Sequence, residues 1–112
     1  MAKAVGIGGL FFRSLDTKAL AAWYETHLGV TGYWDTTAGM TVFAPFKQET
    51  DYFPSDKQWM INFRVRDLEK MAAQLRAAGI EVKVDPQAYP YGRFARLHDP
   101  EGNPIELWQP MG

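Results

Sequence analysis

Apolar and polar positions follow one ordering twice along the chain. The segment "IGGLFFRSLDTKALAAWYETHLGV" (7–30) lays over "QWMINFRVRDLEKMAAQLRAAGIEV" (58–82). In each, a short apolar run gives way to a polar break holding an aspartate, then to apolar residues three and four apart, then to a glycine. Three-and-four spacing marks one face of a helix, whereas alternation marks a half-buried strand. The first helix is expected over roughly 17–27, with Leu20, Trp23, Tyr24 and Leu28 at that spacing. The second is expected over roughly 68–78, with Leu68, Met71, Ala72 and Leu75 on one stripe. Asp16 and Asp67 suit the N-cap, where a side-chain oxygen accepts from an otherwise orphan backbone N–H. Gly29 and Gly79 suit the left-handed residue that closes a helix.

The remaining apolar runs predict strands: "GYWD" and "MTVFAPF" after the first helix, "IEVKV", "GRFARLH" and "PIELWQP" after the second. Little chain separates the first helix from "MTVFAPF", so the first repeat is abbreviated at ordinary strand lengths. The polar, proline-bearing "KQETDYFPSDK" (47–57) reads as a linker. The expectation is an α+β fold of paired βαβββ modules, the first abbreviated, forming one curved mixed sheet with helices outside. Module 1 covers about 5–46 and module 2 about 58–110, within a single domain over 1–112.

Composition narrows the function classes. A chain of 112 residues supports one core, and 46% hydrophobic with 22% charged residues is a folded, globular balance. A net charge of −1 and a pI near 6.1 make no electrostatic case for nucleic acid or an anionic membrane. The absence of cysteine excludes disulfides, thiolate metal sites and cysteine nucleophiles. The apolar start is broken by glycines and far short of a membrane span, so a cytoplasmic protein is expected. "GIGG" lacks the spacing of a dinucleotide loop, and no serine elbow occurs.

Alternation also sorts each strand into two faces. Ile61, Phe63 and Val65 go to the core with Ile105, Leu107, Leu10 and Phe12. Asn62, Arg64, Glu106, Trp108, Phe11 and Arg13 go to the other, concave face, with Phe94, Arg96 and His98 sharing one side of their strand. Glu106, between Ile105 and Leu107, is the informative position. A carboxylate buried there without a partner is expelled or protonated, so Arg13, Arg64, Arg96 or a water network is expected to satisfy it. Three converging arginines would also suit a carboxylate or phosphate, held in bidentate fashion. Alternatively, one pairs with Glu106 and the others reach solvent. Phe11 and Trp108 either stack on a planar ligand or fill core. His98 is either an acid, base or ligand in the cleft or an exposed strand-end residue. "YPYGRF" (89–94) is either a rim over the cleft or a plain connector.

"YGRFARLHDPEGNPIELWQP" resembles the closing signature of the vicinal-oxygen-chelate superfamily, which includes glyoxalase I, bleomycin-resistance proteins and extradiol dioxygenases. "SLDTKALAAWYETHLGV" is similar to its opening strand–helix unit, and the resemblance covers nearly the whole chain. It implies paired modules whose sheet curls into an open U, with a divalent metal in the family's metalloenzymes bound by side chains from both modules. Glu106 then takes the place of the C-terminal carboxylate ligand. The matching positions on the first strand and its repeat are Gly9 and Met60, and the remaining one falls around Thr41 to Phe43, without carboxylate or imidazole. A hard divalent ion needs three or more oxygen or nitrogen donors. No metal or other cofactor is therefore expected.

The resemblance implies a protein that binds a small oxygenated or anionic organic molecule in a concave cleft. Glu106 would be its catalytic carboxylate, and Arg13, Arg64, Arg96, Asn62, Phe11, Trp108 and His98 its substrate-binding residues. The alternative is a metal-dependent glyoxalase-like lyase, isomerase or dioxygenase using Glu106 as a ligand. Family analogy implies a homodimer. A fold analogy leaves function to be argued from the site itself.

Overall fold

The structure, a computed structural model, describes residues 1–111. They divide between two compact units, Met1–Gln48 and a second that begins at Glu49. The stretch read as a linker thus falls almost entirely on the second unit's side.

Both helices start and stop at the positions that their caps dictate. α1 spans Thr17–Leu28 and α2 spans Leu68–Ala77. Oδ1 of Asp16 accepts from the Ala19 N–H at 3.1 Å, and Oδ1 of Asp67 accepts from the Lys70 N–H at 3.0 Å. Gly29 and Gly79 follow at φ 72° and 82°, a region that a Cβ disfavours. After α2, the Gly79 N–H donates to Arg76 O and the Ile80 N–H to Leu75 O, satisfying carbonyls that the helix leaves open.

The second unit realises one full βαβββ module. β1 (Ile61–Arg64) precedes α2, and β2 (Lys83–Val84), β3 (Arg93–His98) and β4 (Pro104–Gln109) follow it. They form a curved, unclosed mixed sheet in the order β1-β4-β3-β2. β1 runs parallel to β4, and the other neighbours are antiparallel. α2 packs against β3 and β4, and the core lies between them: Leu68, Leu75, Ile105 and Leu107 are fully buried, with Ala72, Ala95 and Leu97 close to it. Burying side chains of this size contributes roughly 1.5–3 kcal/mol each. The Gln109 side chain adds a tie by accepting from the Leu68 N–H at 2.7 Å, which gives the first turn of α2 a partner on β4.

The first unit differs from the sequence expectation. It forms α1, with Leu20 and Tyr24 buried, but no strand among its described residues. "IGGLFF", "GYWD" and "MTVFAPF" have the strand pattern without a ladder. A strand exists only when its N–H and C=O groups find a neighbouring strand, and alternation does not supply one. Accordingly Val5, Phe11 and Phe43 are exposed. No helix among the described residues is long and apolar enough to cross a membrane.

Candidate binding face around Glu106

The sheet register sets side chains in rows across the face opposite α2. Asn62 on β1 pairs in register with Glu106 on β4, which pairs with Arg96 on β3, which pairs with Lys83 on β2. The next row holds Arg64, Trp108 and Phe94, and His98 stands opposite Pro104 at the strand end. His98 is exposed there. Arg13 and Phe11 belong to the first unit, in a segment that forms no strand.

Glu106 is only 8% exposed. Both of its oxygens are engaged by neutral protein donors, where the sequence led to an arginine or a water network being expected. The Asn62 amide donates to Oε1 at 2.8 Å, and the Tyr52 hydroxyl donates to Oε2 at 2.5 Å. A hydroxyl on a carboxylate is a short, strong class of hydrogen bond. Arg96, in register beside Glu106, turns to Tyr52 instead. Its guanidinium lies 4.4 Å from the centroid of the Tyr52 ring and donates to the Tyr52 carbonyl at 2.5 Å. A cation over an aromatic face is favourable where the pair is partly desolvated.

Tyr52 is the residue that sequence reasoning missed. It lies in the polar "ETDYFPS" stretch, in no helix or strand, and no periodicity marks it as part of a site. Its phenol is pushed up to about 12, first by burial of the group and then by its bond to Glu106 and the nearby negative charge, while Arg96 pulls the other way. From pH 10 to about 12 the folded protein retains a phenolic proton that the unfolded chain has released, so the associated stability is complete below pH 10 and is lost as pH rises through 12. Urea midpoints measured across that window are expected to fall more steeply for the wild type than for Tyr52→Phe. Parallel curves would show that Tyr52 is not the group responsible.

An aromatic wall continues the face. Phe94 and Trp108 stack with their planes 5° apart and centroids at 6.4 Å, and Tyr89, Tyr91 and Phe94 touch one another at 5.4–6.0 Å. The "YPYGRF" segment is a tight turn, with Tyr89 and Gly92 exchanging backbone bonds of 3.0 and 3.1 Å. The Trp108 indole N–H donates to Tyr91 O at 2.8 Å and so fixes the turn to β4.

The donor set does not fit a divalent ion. Each Glu106 oxygen already accepts a hydrogen bond, the register neighbour on one side is a cation, and no group of three His, Cys, Asp or Glu side chains suited to a metal occurs among the described residues. Cation coordination needs several converging anionic or neutral oxygen and nitrogen donors.

The class these features define is a small α+β domain with a βαβββ module and a carboxylate on its last strand. A family model described as a glyoxalase-like domain matches residues 9–108, and the chain belongs to that family, within the vicinal-oxygen-chelate superfamily. Two solved structures are similar to the chain over the shares given. A glyoxalase/bleomycin resistance protein from Streptomyces sp. CB03234 is 34% identical over 46% of this chain and 46% of its own, with a TM-score of 0.41. The chain thus spans less than half of that relative. TnmS3, an antibiotic binding protein from the same organism, is 26% identical over 86% of this chain and 88% of its own, with a TM-score of 0.56. No curated protein matches.

Proposed function

We propose that the protein binds a small oxygenated organic molecule on the Glu106 face without a tightly bound metal; the similar TnmS3, an antibiotic binding protein, supports the small-molecule part of this reading. The observation that carries this reading is the fixing of Glu106 by Tyr52 and Asn62 beside Arg96 and the Phe94–Trp108 stack. The carboxylate serves as a fixed hydrogen-bond acceptor, and the rings offer the apolar surface that small-molecule sites require. Arg64 and His98 lie on the same face, within reach of a larger ligand. Calorimetric titration with nickel or manganese tests the metal-free part. No one-to-one site tighter than about micromolar is expected, and Glu106→Gln should alter ligand binding or stability but not metal content. A tight site lost in that variant would revive the metal-dependent alternative.

We also propose a homodimer, supported by the large apolar side chains that the first unit leaves exposed, among them Phe11 and Phe43. Light scattering is expected to give twice the 12.7 kDa chain mass. A monomer mass at micromolar concentration would count against it.

A further inference from the structure

We propose that the Glu106 face is a phenol site: Tyr52 fills it from within, and the ligand is a hydroxylated aromatic molecule whose ring and hydroxyl replace those of Tyr52. The inference rests on the small-molecule reading above and narrows it. Glu106, which accepts from the Tyr52 hydroxyl, is carried by β4; Arg96, which covers its ring, by β3; and Asn62, which fixes the second carboxylate oxygen, by β1. Groups on strands held in register are preorganised before any ligand arrives. Tyr52 itself comes from a segment with no helix or strand and remains 38% exposed. The strand-held half of this contact therefore has the form of a receptor for a phenol, which Tyr52 occupies.

The chemistry also excludes other classes. Both Glu106 oxygens accept hydrogen bonds, so an incoming group at this point must donate, and a second carboxylate or a phosphate would meet like charge. A plain hydrocarbon ring would gain the contact with Arg96 but leave Oε2 without its donor. A phenol meets both requirements. The parallel Phe94 and Trp108 rings in the neighbouring row extend the surface, so a ligand of more than one fused ring gains further stacking.

The test returns the missing side chain as a free molecule. Tyr52→Gly is titrated with p-cresol by calorimetry and thermal unfolding, with toluene as the same ring lacking the hydroxyl. p-Cresol is expected to bind saturably, raise the unfolding midpoint, and bind about tenfold more tightly than toluene, the worth of one charge-assisted hydrogen bond. Adding Glu106→Leu should abolish that preference. Equal responses to the two compounds, or none in a variant with wild-type circular dichroism, would overturn the proposal. If Tyr52→Gly does not fold, Tyr52→Phe serves instead. Losing the hydroxyl loosens the internal occupant, so p-cresol should bind this variant about tenfold more tightly than it binds the wild type, and equal affinity would overturn the proposal. The two readings fail separately. Wild-type protein that takes up non-phenolic compounds on this face but no phenol overturns the phenol assignment alone, whereas wild-type protein that binds nothing in a broad panel overturns the small-molecule reading.

Discussion

Gly92→Ala is expected to destabilise the second unit by about 3–5 kcal/mol, read as a fall in the urea midpoint with loss of the Trp108 environment in fluorescence. Gly92 closes the turn into β3 at φ 136°, a conformation that L side chains rarely adopt. A Cβ there would fall onto the Gln109 carbonyl oxygen, 2.6 Å from Trp108 Nε1 and 3.0 Å from its Cδ1. The carbonyl belongs to β4 and cannot retreat without opening the sheet. The indole must therefore turn away, breaking its bond to Tyr91 O and its stack on Phe94. Gly102→Ala is the control. Gly102 also has positive φ, 82°, yet a Cβ would meet nothing within 4 Å, so only the conformational term of about 1–2 kcal/mol applies. Equal, small losses in the two variants would show that the turn relaxes without moving Trp108.

Asp99→Ala is expected to lose about 2–4 kcal/mol. Asp99 is 5% exposed. Its Oδ1 accepts from the Glu101 N–H at 2.8 Å and the Asn103 N–H at 3.0 Å, and its Oδ2 from the Asn103 amide at 2.8 Å. Backbone bonds from Asp99 N–H to Asn103 O and from Gly102 N–H to Asp99 O close the same loop. This aspartate turn joins β3 to β4 and sets the register that places Glu106 beside Arg96. Asp99→Asn keeps an acceptor for the two backbone donors but opposes one amide to another at Asn103, so about half the loss is expected. Denaturant curves of the two variants measure the difference. An unchanged midpoint for the alanine variant would show that water replaces the side chain. The "HDPEGNP" motif that carries the family resemblance is thus, in large part, a device for building the hairpin.

Relations close along the chain were legible in the sequence. The two helices lie where Asp16, Asp67, Gly29 and Gly79 mark their ends, because caps act within a few residues. The division of β1, β3 and β4 into faces followed from the two-residue period, and the register sets Asn62, Glu106 and Arg96 side by side. The α+β class and the family were readable for the same reason, since their signatures are local strings.

Tertiary structure decided everything that depends on which segments meet. "MTVFAPF" and "IGGLFF" have strand character but find no ladder in the first unit, because pairing is a property of two segments and the pattern describes one. The sequence pointed Glu106 toward an arginine or a water network, yet the chain brings up Tyr52, 54 residues away, and leaves Arg96 to cover the Tyr52 ring. A hydroxyl and an amide satisfy a buried carboxylate without bringing a second charge out of water, whose desolvation can outweigh the attraction gained. The sequence shows the acceptor and its face; only the folded chain shows which donor reaches it.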